Sequence, residues 1–284
     1  MINQGRFLSI PVLSVALLLS FVYCLTIFVS INDWVGLQSS AGLLNASIFT
    51  LLALLCIFSF IVCVLTDPGG IPSSYAPDIE ENEVTGQRAQ KNATQLRICD
   101  KCHTYKPPRA HHCRVCRRCI LRMDHHCAWI NSCVGFRNYK AFIVLVFYAS
   151  VASIYSTAMI IYCSLGKDWN FSGVPSMIFF VTFGTMMVGL NLTLGTLFGW
   201  HVYLLSHNMT TIEYYEVKRS EWLARKSGMS YHHPYNIGIY KNITSVLGPN
   251  MLKWLCPTTG NHMKDGISFP RVSSCKLVSC ISSF

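Results

Sequence analysis

Charge is scarce in this chain, and acidic charge scarcest. Of 284 residues, 13% are Asp, Glu, Lys or Arg, and 13 carboxylates face 23 Lys and Arg. Soluble domains carry about 25% charged residues, so 51% hydrophobic content excludes the ordinary soluble balance and points to membrane embedding. The chain shows no Walker loop, no glycine-rich dinucleotide fingerprint and no G-x-S-x-G elbow, which removes the sequence grounds for nucleotide-driven, dinucleotide-dependent or serine-hydrolase chemistry. No internal repeat is apparent, and no C-terminal ER-retrieval sequence is present. Basic charge is missing from the apolar segments: 22 of the 23 Lys and Arg lie in the N-terminus, in 66–140 or after 205. The net charge of +10 therefore flanks apolar runs instead of forming a nucleic-acid surface. Such flanks mark the cytoplasmic side, a reducing compartment in which clustered cysteines favour metal or catalysis over disulfides.

Four apolar runs stand between the basic segments: Phe7–Ile31, Leu43–Leu65, Ala141–Cys163 and Met177–Trp200, each 23 to 25 residues. That length crosses a hydrocarbon layer of about 30 Å; buried helices of a soluble protein would not be apolar four times over. The first run exceeds a signal-peptide core and reads as a retained helix. The loop Asn32–Gly42 holds Asp33 and Trp34 and no Lys or Arg, and the loop through Lys167, Asp168 and Pro175 is nearly free of positive charge, so both face away from the cytoplasm and both termini face it. Asn191 lies in the fourth run and His201 just past it; interhelical hydrogen bonding is the expected use of the former. Residues 70–96, with Pro72, Pro77, Glu80, Glu81 and Glu83, read as a flexible connector. Cys256, Cys275 and Cys280 are too sparse for a metal site and read as spare thiols, with acylation the alternative. Roughly the last 20 residues are expected to be disordered.

The remaining information concentrates in one 35-residue stretch, Cys99–Cys133, which holds seven of the fourteen cysteines and five of the ten histidines. Two-residue gaps between thiols (Cys99/Cys102 and Cys113/Cys116) bring both sulfurs within about 2.3 Å of one tetrahedral zinc. Two closed structural zincs need eight ligands, and adjacent His112 and Cys113, if extended, point to opposite sides and serve different ions. The expected sets therefore interleave: Cys99, Cys102, His112 and Cys119 on one zinc, and Cys113, Cys116, His126 and Cys133 on the other. Cys127 is left over. Beside His125 and Asp124 it has the parts of an activated nucleophile: a thiol, a base for its proton and a carboxylate to hold the base's tautomer. The competing reading makes Cys127 an exchangeable ninth ligand and Asp124 a solvated turn residue.

The run Asp124-His125-His126-Cys127, followed by Trp129, Cys133, Val134-Gly135 and Asn138 and preceded by Pro108-Arg109-Ala110-His111-His112-Cys113, resembles the DHHC cysteine-rich domain of protein S-acyltransferases (palmitoyltransferases). Asp67-Pro68-Gly69, Thr210-Thr211-Ile212-Glu213 (a TTxE pattern), and Pro234–Gly238 with Asn242 and Trp254-Leu255 extend the resemblance. The chain departs at Ala128 (usually Pro) and Ser132 (usually Asn), neither a ligand nor a reacting group in the family that it resembles, and at Asn236 (usually Asp).

The resemblance implies an α-helical integral membrane enzyme with transmembrane helices 1 and 2 in 1–65, a DPG segment and linker in 66–98, the zinc domain in 99–140, helices 3 and 4 in 141–204 and a cytoplasmic tail in 205–284. It implies transfer of a palmitoyl group from acyl-coenzyme A to protein cysteines through an acyl-enzyme on Cys127, with His125 as base and Asp124 orienting it. Thr210, Thr211 and Glu213 are supports, and two zinc ions are structural. Trp129 and Ala152 are the expected acyl-pocket residues, the latter because Ala149, Ser150, Ala152 and Ser153 thin the third helix; small residues that let helices approach closely are the alternative. Expected partners are acyl-coenzyme A, the bilayer and cytoplasmic-face proteins with juxtamembrane or lipidated cysteines, not nucleic acid, at the Golgi or plasma membrane. Arg109, Arg114, Arg117, Arg118 and Arg122 would meet coenzyme A phosphates or anionic lipid. A membrane-anchored cross-brace zinc module such as a ubiquitin ligase also uses eight ligands, but has no need of Asp-His beside a spare thiol.

Overall fold

The computed structural model describes residues 9–32, 35–77, 97–165, 174–258 and 265–272. Phe7, Asp33, Trp34, the connector acids Glu80, Glu81 and Glu83, Lys167, Asp168, Cys275 and Cys280 lie outside the described residues.

Among the described residues, four helices are long and apolar enough to cross a membrane: Ile10–Ile31, Ser40–Leu65, Tyr139–Leu165 and Met177–Ser206. They are α1 (Ile10–Ile31, π-helical from Leu25), α2 (Ser40–Leu65), α3 (Tyr139–Leu165) and α4 (Val174–Ser206). Their outer faces present Leu17, Leu51, Leu54, Ile178 and Leu192, as helices solvated by lipid do. Polar side chains pair between helices: Thr26 with Ser156 at 2.7 Å, and Asn191 Nδ2 donating to Thr157 Oγ1 at 2.6 Å. Asn191 thus takes the interhelical bond expected of it.

Three helices are longer than the apolar runs. α2 starts at Ser40, where the Ser39 side chain accepts from Gly42 N, so the loop expected over Asn32–Gly42 ends at Ser39. α3 starts at Tyr139 because Asn138 ends the preceding turn: its Oδ1 accepts from Gly135 N, its Nδ2 donates to Cys133 O, and its carbonyl accepts from Phe142 N. α4 continues past Trp200 to Ser206 because His201, Leu204 and Leu205 are buried there.

Between α2 and α3 stand three short antiparallel hairpins: β1 (Ile98–Cys99) with β2 (Thr104–Tyr105), β3 (His111–Cys113) with β4 (Arg118–Ile120), and β5 (His125–Cys127) with β6 (Ser132–Val134). Their turns pass through left-handed residues His103, Arg117 and Asn131, at φ 53°, 53° and 46°. A repeat stands here that corrects the expectation of none, and it is written in the ligand spacing. Cys113, Cys116, His126 and Cys133 each stand fourteen residues after Cys99, Cys102, His112 and Cys119. Cys127 stands fourteen after Cys113, and Ile130 occupies the place of Cys116. Only ligands and turn geometry recur, not an apolar pattern, so a search for hydrophobic periodicity passes over it.

Asp67-Pro68-Gly69 is pinned into this module. Leu121 N donates to Gly69 O, Arg137 N to Pro68 O, and Arg118 pairs with Asp67. A Cβ on Gly135 would lie 2.7 Å from Ile120 Cγ2 and 2.9 Å from Pro68 O, so this close approach requires glycine. Gly70 also bridges to Ile120, which corrects the connector reading for its first residues.

The third hairpin is seated on one end of the bundle. Cys127, Ile130 and Val134 share an apolar cluster with Phe60, Val64, Phe142, Val146 and Leu205. Beyond α4 come α5 (Thr211–Lys226), α6 (Ile239–Leu247) and the chain to Arg271 and Val272. The expectation of disorder from 265 on is corrected for 265–272, which pack against Phe136 and Tyr235.

Candidate active site

The eight expected ligands gather in two groups of four, Cys99/Cys102/His112/Cys119 and Cys113/Cys116/His126/Cys133, with ligand atoms in each within 4.8 Å of one another. The edges decide what fits. A tetrahedron with arms of about 2.0–2.3 Å has edges of about 3.3–3.8 Å. The first set shows 3.3, 3.5 and 3.9 Å from His112 Nδ1 to its sulfurs and 3.8 Å between Cys102 and Cys119. The second shows 3.5 to 3.7 Å from His126 Nδ1 to its sulfurs and 3.5 Å between Cys116 and Cys133. Both sets fit zinc. His111 belongs to neither group.

Cys127 lies outside both groups. It ends β5 one residue after His126, so strand alternation turns its sulfur away from the zinc and toward His125. His125 Nδ1 is 2.7 Å from Asp124 Oδ2. Asp124 is 1% exposed, not a solvated turn residue, and both its oxygens are engaged: Thr211 N donates to Oδ1 at 3.0 Å and Thr211 Oγ1 to Oδ2 at 2.9 Å.

The electrostatics follow from these contacts. Burial works against an imidazolium at His125, but hydrogen bonds to Asp124 and Cys127 outweigh it and push its pKa up to about 9. Burial would raise the Cys127 thiol, yet His125 and the backbone N–H groups of Ile130 and Trp129 hold it below its ordinary value. Asp124 is likewise opposed by burial and held below the usual carboxylate range by His125 and Thr211. The arrangement favours a thiolate beside an imidazolium.

Thr210 and Glu213 reach the site through helix capping. Glu213 N donates to Thr210 Oγ1 and Thr210 N to Glu213 Oε2, a reciprocal capping box that opens α5 and presents Thr211 to Asp124. Glu213 also receives both Nε and Nη2 of Arg109, at 2.6 and 2.8 Å. Arg109 and Arg122 are 4% and 2% exposed, so neither is available to a coenzyme A phosphate. Arg109 is committed to Glu213 and Asn208, and Arg122 lies over the Tyr139 ring. Arg114 and Arg117 are exposed. Sequence reasoning missed this pairing, because ion pairs across a hundred residues leave no local signal. The left-handed backbone of Arg109 and Asn208 gives no cue in residue type at arginine.

His201 was expected near the end of its helix without an assigned use; the fold buries it against the His125 and Phe142 rings, with Nδ1 3.2 Å from the Tyr139 hydroxyl. Asp124, His125 and His201 lie within 4.8 Å.

From Cys127 a cavity of about 950 Å³ runs between the helices, with His125 and Trp129 on its wall beside the sulfur and Ala149, Ala152 and Ser153 farther along α3. Phe142 touches His125; Ala152, ten residues on, stands about 15 Å along the axis. Tyr23 and Phe49, also on the wall, stack at 6.0 Å, and Phe49 stacks on Tyr155 at 5.8 Å. These three rings were not legible in the sequence, since each sits in a uniformly apolar helix.

Comparison with known proteins gives the same direction. The DHHC palmitoyltransferase family matches residues 92–218. The chain is 60% identical over 252 residues to probable protein S-acyltransferase 15 of Arabidopsis thaliana, covering 88% of this chain and 98% of that protein. It is 45% identical to probable protein S-acyltransferase 16 of the same plant, over 94% of each chain. Palmitoyltransferase ZDHHC15 of Homo sapiens is 38% identical over 180 residues, 62% of this chain and 50% of that one. With its two zinc-fitting ligand groups, its four spans and this relatedness over nearly its whole length, the chain belongs to the DHHC palmitoyltransferase family.

Proposed function

We propose that this multi-pass membrane protein transfers a long acyl chain, palmitoyl foremost, from acyl-coenzyme A to cysteine thiols of proteins, through a thioester on Cys127. The observation that carries the reading is the spared thiol: eight ligands fill two tetrahedral sets, and Cys127 faces a His125 that is held by a buried Asp124.

In the first half-reaction the Cys127 thiolate attacks the thioester carbonyl carbon. The new C–S bond forms, the bond to coenzyme A breaks, and the departing thiolate takes a proton from the His125 imidazolium. In the second, a substrate cysteine gives its proton to His125 and attacks the acyl-enzyme, and the Cys127 thiolate leaves, restoring the ion pair. Asp124 keeps the His125 proton on Nδ1 so that Nε2 works on sulfur. His126 uses Nδ1 within the second ligand set and is not the base. The zincs would hold the hairpins together and lend no step to the transfer.

The cavity supplies binding energy to the acyl chain at about 0.8 kcal/mol for each buried methylene. Its opening beside Cys127, at the bundle end where the zinc module sits, suits substrates whose cysteines lie close to a membrane or carry lipid. Basic residues on that side argue for a cytoplasmic face with both termini in the cytoplasm. Golgi or plasma membrane is the location this reading carries, and Arg114 and Arg117 remain to meet phosphate or anionic lipid.

The test uses purified protein with labelled palmitoyl-coenzyme A. Hydroxylamine-sensitive label should appear on wild type and vanish in Cys127→Ala. Wild type that stays unlabelled, or a Cys127→Ala variant that labels equally, sinks the assignment.

A further inference from the structure

The chain closes on the zinc module with a short strap, Asp265–Val272, whose contacts the proposed chemistry does not use. Two anchors and an internal turn fix it. Val272 N donates to Pro234 O at 2.9 Å. Gly266, at φ +67°, lies so near Phe136 that a Cβ would sit 2.6 Å from its ring. Asp265 Oδ1 accepts from Ile267 N and Ser268 N, setting the turn.

This places Phe269 against a buried cation. The Arg109 guanidinium carbon is 4.4 Å from the Tyr235 ring centroid and 4.7 Å from that of Phe269, and the two rings meet at 76° as walls of a corner. Phe269 also stands edge-on to Phe136. Nε and Nη2 of Arg109 reach Glu213, Glu213 and Thr210 cap α5, Thr211 holds both oxygens of Asp124, and Asp124 holds His125. The backbone closes the same link: Met123 N, adjacent to Asp124, donates to Arg109 O.

We propose that Phe269 is a positioning residue for acyl transfer: the strap presents its π face to Arg109, and Arg109 in turn fixes the register of Thr211 and Asp124 against His125. A buried guanidinium is attracted to ring faces; with Tyr235 as its only ring, the hydrogen bonds to Glu213 and Asn208 alone would resist its tilting, and a tilt would carry Glu213 with it. Loss of register at Asp124 lowers the rate of the chemical step and leaves acyl-coenzyme A binding, which belongs to the cavity, unchanged. The inference rests on acyl transfer at Cys127.

The experiment compares wild type, Phe269→Leu, Phe269→Tyr, Gly266→Val and Cys127→Ala in the same membrane mimetic. Readouts are the rate of self-acylation, the KM for palmitoyl-coenzyme A and the zinc content. Phe269→Leu keeps apolar bulk without a π face; its rate should fall roughly tenfold, with KM and two zincs per chain retained. Phe269→Tyr should retain the wild-type rate, and Gly266→Val, which undocks the strap by another route, should match Phe269→Leu. A Phe269→Leu variant as fast as wild type overturns the proposal. So does a fall in rate accompanied by loss of zinc in both Phe269→Leu and Gly266→Val, since the strap then only holds the fold. Failure of wild type to label at Cys127 would instead remove the acyl-transfer reading, and the strap proposal with it.

Discussion

Asp124 accepts three hydrogen bonds while almost fully buried, and in the proposed reaction its charge would hold the imidazolium that serves the neighbouring thiol. The Cys127 pKa is lowered, so its thiolate is present below the ordinary thiol range. Self-acylation should therefore rise with pH through a midpoint below the free-thiol value of about 8.5. In Asp124→Asn the imidazolium loses its carboxylate, the midpoint should move up, and the rate at neutral pH should fall by roughly 10²-fold or more. A pH series of label incorporation checks both, and an unmoved midpoint would deny Asp124 this role. Cys127→Ser should abolish label yet keep two zincs per chain by elemental analysis; loss of one would make Cys127 a ligand. Cys113→Ser should release metal and unfold the hairpins, because zinc binding supplies about 10 kcal/mol or more of folding energy in such modules.

At the scale of elements, the N-terminus of α5 is held by a buried ion pair. Burial alone would raise the Glu213 carboxyl, but Arg109 outweighs it and holds it below the usual carboxylate range. A lowered pKa contributes stability that is present above the ordinary carboxylate pKa and is lost as pH falls through the folded value. Wild type should thus lose melting temperature on acidification over that window, and Glu213→Gln should show less of this loss. Removing one partner of such a pair costs about 3–5 kcal/mol, so Arg109→Met should melt well below wild type at neutral pH. α3 carries the other element-scale expectation. Ala152→Phe fills the cavity wall near Tyr23 and Phe49 and should shift acyl-enzyme formation from C16–C18 toward C12–C14 donors. An unchanged profile across well-folded Ala149→Phe, Ala152→Phe and Ser153→Phe would instead assign these residues to helix contact.

For the whole molecule, the proposed topology puts the zinc module and both termini on the cytoplasmic side. The sequons at Asn208 and Asn242 should then stay unmodified, as should Asn92, outside the described residues. Asn208 and Asn242 are also buried and bonded, Asn208 Nδ2 to Tyr235 O and Asn242 Nδ2 to Ser206 O. Glycan on any of the three, by mobility shift after glycosidase treatment, would invert the topology.

The sequence by itself determined the four spans, since no soluble solution exists for uninterrupted apolar runs of that length, and the eight-ligand arithmetic that leaves Cys127 over. Both depend on local composition and on a fixed coordination number. It did not determine which arginines are free. Arg109 and Arg122 look like surface cations until the fold closes segments a hundred residues apart around them, and a buried pair is a property of that closure. Nor did it show the rings of Tyr23 and Phe49 on the cavity wall, with Tyr155 stacked on Phe49, because in a lipid-solvated helix every face is apolar and periodicity no longer says which side is inward. The strap residues Gly266 and Phe269 stand in a tail poor in regular pattern, where low hydrophobic periodicity reads as disorder. Only the tertiary structure, by placing Phe136, Tyr235 and Arg109 together, gives that segment something to pack against.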